Sequence, residues 1–357
     1  MSDLRSYGND NKSAVQAKFD AQKIAFGPMM FQAAISLRNL GILDYLKKHK
    51  TGSQLKQISA DLGVSKYGLT VLLEAGLSME MVYVQEDQYF LTKTGLFILS
   101  DPLTKANMDF TQDVNYLGMF NLQDSIEQGK PVGLKVFGEW DTIYEGLSSL
   151  PPKVQKSWFD FDHYYSDNAF PEVLKIVFAH NVKRLLDVGG NTGKWSIQCA
   201  KYNQEVAVNI LDLPGQLEMA QKNIEVNNLQ DRVSGVAANL LDHSHEFPKG
   251  YDVVWMSQFL DCFSEPDIVS LLVRAKNALS DDGCVYILET YWDQQKYQAS
   301  TYSLHATSLY FTALANGNSR MYHSQDMYEM VDQAGMRVVE EFQNIGISHT
   351  LLKCAKK

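Results

Sequence analysis

A carboxylate two residues ahead of a glycine pair, at the end of an apolar strand, suits a positively charged ligand group. Residues 184–196 read RLLDVGGNTGKWS, with Asp187 inside the strand end and Gly189, Gly190 and Gly193 after it. These glycines permit a tight turn and close backbone approach at a helix N-terminus. A dinucleotide fingerprint needs G-x-G-x-x-G, and neither glycine register here supplies that spacing. Asp187 would also repel a pyrophosphate, which weighs against a nicotinamide-dependent oxidoreductase. Nineteen residues past Gly193, the next strand ends in ILDLPG. Asp212 there can accept from both hydroxyls of a ribose, in charge-assisted bonds of roughly 1.5–3 kcal/mol each. That role is common to NAD and S-adenosylmethionine sites. Leu213 and Pro214 turn the chain and offer an apolar face. In AANLLD, Asn239 can hydrogen-bond an adenine edge and Leu240 can flank its ring.

The elements that position these residues follow from the hydrophobic pattern. Short apolar strands at 184–188, 206–211, 233–237, 251–257 and 285–288 alternate with helical stretches at 193–201, 216–227 and 265–279. Nearly all-apolar strands alternating with helices predict a parallel sheet covered on both faces. Segments 336–342 and 348–354 predict a closing antiparallel pair. The expected fold is therefore α/β, a Rossmann-like, mostly parallel doubly wound sheet over residues 181–357. Its ligand would sit at the carboxyl ends of the strands, near the topological switch point.

The preceding residues divide into 1–105, mainly α, and 106–180, a helical linker. From Pro28, PMMFQAAISLRNLGILDYLKK places Met29, Ala33, Leu37, Leu40, Leu43 and Leu46 at helical spacing. GSQLKQISADLGVSKYGLTVLLEAGLSMEMVYV and the pieces at 81–84 and 88–91 follow the pattern of a winged helix-turn-helix. From Lys50 to Lys105 there are five lysines, no arginine and six carboxylates, which argues against a DNA-binding transcription factor. Dimerisation or capping of a substrate site is the better use of this segment. Residues 106–180 are rich in aromatics, which line either a core or an apolar ligand pocket. Pro151-Pro152 marks a break.

Composition bounds the rest. The 357 residues carry 42 acidic and 32 basic side chains, a net charge of −10, which disfavours nucleic acid and anionic membrane surfaces. The polar start MSDLRSYGNDNKS lacks the apolar core of a secretory signal, and no apolar run approaches the ~20 residues of a membrane span. Cys199, Cys262, Cys284 and Cys354 lie far apart without ligand spacing to histidine, as expected of reduced thiols in a cytoplasmic protein without a structural metal.

DVGGNTG, LDLPG, AANLLD and WMSQFLDCFSEP together resemble the S-adenosylmethionine-dependent small-molecule O-methyltransferases of the caffeic acid and hydroxyindole type, including bacterial members. The resemblance spans nearly the whole chain, because that family carries an N-terminal winged-helix dimerisation domain and a helical linker. It implies a homodimer, a small aromatic acceptor, S-adenosylmethionine as methyl donor, S-adenosylhomocysteine as product, and no metal. It implies that Asp187 and Gly189, in the turn with Gly190 and Gly193, hold the methionine end of the cofactor, and that Asp212 binds the ribose. Asn239 stands where the family usually has an aspartate facing the adenine amine, with Leu240 beside it. Ser257 falls where a lysine often lies near the cofactor carboxylate, Phe263 replaces a tryptophan over the adenine, and Ser166 matches a serine touching the carboxylate.

The catalytic position departs from the family. Where an L-H-D-W stretch carries the general-base histidine, this chain has Leu260-Asp261-Cys262-Phe263. Glu289 matches the first of two glutamates that brace that histidine, and the second corresponds to Ser319. An ordinary Asp is about 2.6 pH units less basic than His, or ~3.5 kcal/mol of driving force. Three routes stay open: Asp261 and Glu289 as a pair in which one carboxyl stays protonated, His163 in the linker, or His305 ahead of Tyr310. Methyl transfer relies chiefly on alignment, worth up to ~7–11 kcal/mol, so a weak base slows the reaction without abolishing it. Tyr310 and Leu314, with the aromatic linker, would line the acceptor pocket. The alternative is a divergent member that methylates N, S or C, or uses the cofactor without methyl transfer.

Overall fold

The structure is a computed structural model and describes residues 7–357. It divides into two compact units, one ending at Gln112 and the other running from Asp113 to Lys357.

The first unit contains α1 (Ala14–Ala25), α2 (Gly27–Asn39), α3 (Ile42–Lys48), β1 (Ser53–Gln54), α4 (Leu55–Leu62), α5 (Lys66–Ser78), β2 (Val82–Gln85), β3 (Gln88–Leu91), α6 (Lys93–Ser100) and α7 (Pro102–Phe110). The helix expected from Pro28 through Lys48 is broken: α2 stops at Asn39 and Gly41 turns into the left-handed region (φ 76°) before α3 begins. The wing is a two-residue hairpin pairing Gln85 with Gln88, and Glu86 and Asp87 both take positive φ at its tip. Leu37, Leu43, Leu46, Ile58, Leu69 and Leu73 form the unit's core. Helix α1, which the pattern did not foretell, buries no residue and leaves Val15 and Ile24 about 80 % exposed.

The second unit opens with α8 (Leu122–Gln128), α9 (Ile143–Gly146), α10 (Pro152–Asp167) and α11 (Phe170–Val177). Strand–helix alternation follows: β4 (Arg184–Val188), α12 (Lys194–Tyr202), β5 (Ala207–Asp212), α13 (Pro214–Val226), β6 (Val233–Ala237), β7 (Tyr251–Ser257), α14 (Glu265–Ala278) and β8 (Leu279–Glu289). The chain closes with α15 (Gln298–Tyr310), α16 (Ser324–Gln333), β9 (Met336–Ile345) and β10 (His349–Lys356).

The seven strands lie in the order β6-β5-β4-β7-β8-β10-β9, with the first five parallel and β10 antiparallel to both neighbours. Alternate residues feed two cores. Leu186, Val254, Met256 and Ile287 pack with α14 and α16. Leu185, Val208, Ile210 and Trp255 pack with α11, α12 and α13. Burial on both faces explains why the central strands β4, β7 and β8 carry apolar residues at consecutive positions instead of at every second one. The chain runs outward from β4 through β5 to β6, then returns to place β7 on the other side of β4. The crevice between the carboxyl ends of β4 and β7 is thus the switch point.

Candidate active site

The turn after β4 is built by close contact. A Cβ at Gly190 would sit 2.7 Å from Asp187 Oδ2, and one at Gly189 (φ 73°) would enter the Phe259 ring at 2.2 Å. No larger residue fits either place. Gly193 precedes α12. Asp187 is buried in β4, where its Oδ2 accepts a 2.6 Å bond from Ser196 Oγ on α12. Burial, opposed by that bond and joined by the charge of Asp212, lifts its carboxyl to about 7. Asp212, at the end of β5, accepts from the backbone N–H groups of Asn191 (2.8 Å) and Leu213 (2.7 Å). Burial nonetheless raises it to about 6.

The groove above this turn has about 70 Å³ of free volume. Of the cofactor residues expected from the sequence it gathers Ser166, Asp187, Gly189, Gly190 and Ser257, together with His163. Leu213 is partly buried at the N-cap of α13. Asn239 is exposed, and its Oδ1 accepts from Leu241 N at 3.0 Å. Leu240 is buried in the core with Leu211 and Val188, and Phe263 packs edge-on to Phe259 at 4.7 Å. A larger cavity of about 600 Å³ opens beside Asp252, the Ser280–Cys284 segment and Lys353, and none of the expected site residues lines it.

Asp261 lies in the short turn Leu260–Cys262 that follows β7, and is 7 % exposed. Glu289 ends β8, and its Oε1 accepts from the N–H groups of Phe259 (3.0 Å) and Leu260 (2.8 Å). The glutamate therefore fixes the main chain of the turn, not a catalytic ring. Its other oxygen has no partner among the described residues. Asn316 Nδ2 donates to the Cys262 carbonyl and accepts through Oδ1 from Ser319 Oγ, so Ser319 supports the turn from its far side. Burial and then the Asp261 charge drive Glu289 well above the usual carboxylate range, while burial raises Asp261 to about 6. Burial and the neighbouring charge thus bias Glu289 toward its protonated form.

Tyr310 is buried with its hydroxyl accepting from Trp158 Nε1 at 2.7 Å. Leu314 is buried and packs where a Cβ on Gly118 would meet it at 2.7 Å. Burial, followed by the charges of Cys262, Tyr310 and Asp261, raises Tyr144 well above an ordinary phenol. The two histidines part company. His163 stacks on Phe159 (5.5 Å), lies 3.4 Å from Thr192 Oγ1, and is lowered to about 4, chiefly by burial. It sits beside the glycine turn as a neutral imidazole. His305 is exposed on α15 with its ring 5.0 Å from Trp292, and it is not among the residues lining the groove.

Among the acids, one participant was not foreseen. Asp162 on α10 lines the groove and accepts from Asn191 Nδ2 at 3.3 Å. Burial, then the charges of Asp261 and Asp167, raise it to about 7. Its only sequence signal is an acid inside the aromatic run WFDFDHYY. Asp162 and Asp187 thus line the groove, Asp212 is tied to it through Asn191, and Asp261 is near enough to Asp162 and to Glu289 for its charge to raise both. Lys194, the one Lys or Arg lining the groove among the described residues, is paired with Asp167 at 2.8 Å. Such a set is matched to a ligand that brings positive charge and hydroxyl donors, as a sulfonium nucleoside with an ammonium group does.

Comparison with known proteins identifies the chain as an S-adenosylmethionine-dependent methyltransferase. Residues 121–337 match the O-methyltransferase domain model, and residues 18–89 match the Dimerisation2-like domain model. The chain belongs to the O-methyltransferase domain family. It is similar to L-tyrosine C(3)-methyltransferase of Streptomyces lavendulae, 27% identical over 326 residues, covering 90% of this chain and 87% of that one. It also resembles 3-hydroxy-5-methyl-1-naphthoate 3-O-methyltransferase of Streptomyces sahachiroi, 28% identical over 115 residues, or 32% of this chain and 33% of that one. Among solved structures, the S-adenosylmethionine-dependent methyltransferase SibL in apo form has a TM-score of 0.72 at 22% identity, covering 94% and 98% of the two chains. NcsB1, an O-methyltransferase bound to S-adenosylhomocysteine and 1,4-dihydroxy-2-naphthoic acid, gives 0.67 at 18%, covering 93% and 96%. These two likenesses concern the fold.

Proposed function

We propose that the chain methylates the hydroxyl oxygen of a small phenol, with Asp261 as the proton acceptor and Glu289 holding its turn. The observation that carries this reading is the placement of Asp261, buried in the turn after β7 that Glu289 holds by two main-chain bonds, with burial raising its carboxyl to about 6. Against a phenol near 10, an ordinary Asp lags by about 6 pH units and this one by about 4, a gain of roughly 3 kcal/mol. Bound S-adenosylmethionine supplies the activated methyl and a positive charge that favours phenolate. Asp187, Gly189 and Ser166 would hold its methionine end, Asp212 its ribose, and Asn239, Leu240 and Phe263 its adenine. The aromatic face of α10 with Tyr310 would orient the acceptor, and the cluster around Asp261 excludes bulk water from the proton transfer.

A second reading places the methyl on the ring carbon ortho to the same hydroxyl. It is favoured by the similarity to an L-tyrosine C(3)-methyltransferase over 90% of the chain. A phenolate shares its charge with that carbon, so the same deprotonation by Asp261 serves both, and the displaced ring proton leaves after attack. We further infer a cytoplasmic homodimer formed through residues 1–105, with residues 106–180 lining the acceptor and 181–357 binding the cofactor.

Incubation with S-adenosylmethionine carrying a carbon-13 methyl, and with L-tyrosine and simple phenols, tests both readings. The product gains one CH₂, and its carbon spectrum separates methoxy from aryl methyl. Asp261→Asn is expected to lower turnover at least ~10²-fold while cofactor affinity changes less than about threefold. Equal loss of both would remove Asp261 as the base.

A further inference from the structure

We propose that Asn191, Gln258, Trp195 and Trp255 bind the amino-acid end of the cofactor, the two amide oxygens accepting from its ammonium and the two indole N–H groups donating to its carboxylate. The inference rests on the cofactor assignment and is independent of which acceptor atom is methylated.

The starting observation is a concentration of unspent hydrogen-bonding capacity. Asn191 Oδ1, Gln258 Oε1, Ser257 Oγ and the Nε1 atoms of Trp195 and Trp255 are all buried without a partner among the described residues. All five of these residues line the glycine-turn groove. Buried polar atoms are nearly always paired, so five orphans on one small groove mark a place where a polar ligand completes the bonding. Their chemistry is divided: two amide oxygens can only accept, and two indoles can only donate. A zwitterionic amino acid presents donors at one end and acceptors at the other.

The backbone points the same way. Asn191 (φ 51°) and Gln258 (φ 46°) are both left-handed without being glycine, one after β4 and the other after β7, on the two sides of the switch point. Each is held there by bonds that leave the amide oxygen unused. Asn191 spends its N–H on Asp212 and its Nδ2 on Asp162, and Gln258 N donates to the Leu288 carbonyl at 2.9 Å. Strain retained at such paired positions is characteristic of ligand clamps. Trp255 is in register with Asp187 on the adjacent strand, so its side chain leaves the sheet on the same face, where it stacks on Trp195 of α12 at 4.2 Å. Among the described residues Lys194 is the one cation lining the groove and it is shared with Asp167, with serine at 257, so the neutral indole donors add the carboxylate hydrogen bonds that no second cation there supplies.

Calorimetric titration of the full chain with S-adenosylhomocysteine, its deaminated analogue and its decarboxylated analogue tests the assignment without turnover. Gln258→Met should weaken S-adenosylhomocysteine about tenfold and leave the deaminated analogue within twofold. Trp195→Phe should weaken S-adenosylhomocysteine and leave the decarboxylated analogue unchanged, with Trp255→Phe as the second indole variant on the same readout. Far-ultraviolet melting confirms that each variant is folded. Uniform weakening of all three ligands, or no weakening of any, would overturn the proposal. Failure of the unaltered chain to bind S-adenosylhomocysteine would contradict the cofactor assignment instead.

Discussion

The buried acids carry their own pH signature. Asp162 and Asp187 are raised to about 7, and Asp212 and Asp261 to about 6, burial being the first cause in each. A folded-state value above the unfolded one means that ionisation costs more in the fold. Their contribution to stability is therefore complete below about pH 4 and is lost as the pH rises through 6 to 7. Cofactor binding has the opposite sign, because the incoming cation favours the ionised carboxylates. We expect S-adenosylmethionine affinity to rise between about pH 5 and pH 8, measured by calorimetry in buffers of matched ionic strength. The kcat/KM for a phenol should show an acid limb near pH 6 that Asp261→Asn abolishes; a limb unchanged in that variant would assign it to another group.

The turn between β4 and α12 brings carboxylate, glycines and strained asparagine to one point, and its tolerance for added atoms is nil. Gly190→Ala pushes a methyl to 2.7 Å from Asp187 Oδ2. It should cost at least tenfold in S-adenosylhomocysteine affinity while the melting temperature falls by only a few degrees, read by calorimetry and thermal melting respectively. This turn was legible in the sequence because strand, acid and glycines are contiguous there, and Asp212 was legible for the same reason. Asp162, Asn191 and Gln258 were not. Asp162 reaches the groove from a helix 25 residues earlier in the chain, and the amides matter only because their oxygens find no partner after folding. Glu289 was found in sequence, but its grip on the main chain at 259–260 requires β7 and β8 to be neighbours in register. The break at Gly41 was missed because the apolar spacing runs on through it, although the residue that stops the helix was in plain view.

At the scale of the molecule, the first unit carries an exposed apolar surface among its described residues. Val15, Phe19, Ile24 and Met29 are all at least half exposed on α1 and α2, within or beside the segment that matches the Dimerisation2-like model. Phe19→Glu combined with Ile24→Glu should convert the proposed homodimer to a monomer in sedimentation, with the second unit still able to bind S-adenosylhomocysteine. A dimer unaffected by both changes would place the interface elsewhere. The stacked Trp195 and Trp255 lead to a separate consequence. An excited indole pair sealed from water and lying against the cleft reports on whatever enters it, so occupancy by a sulfonium should dim the protein's ultraviolet emission, giving a label-free optical gauge of loading before any acceptor is known.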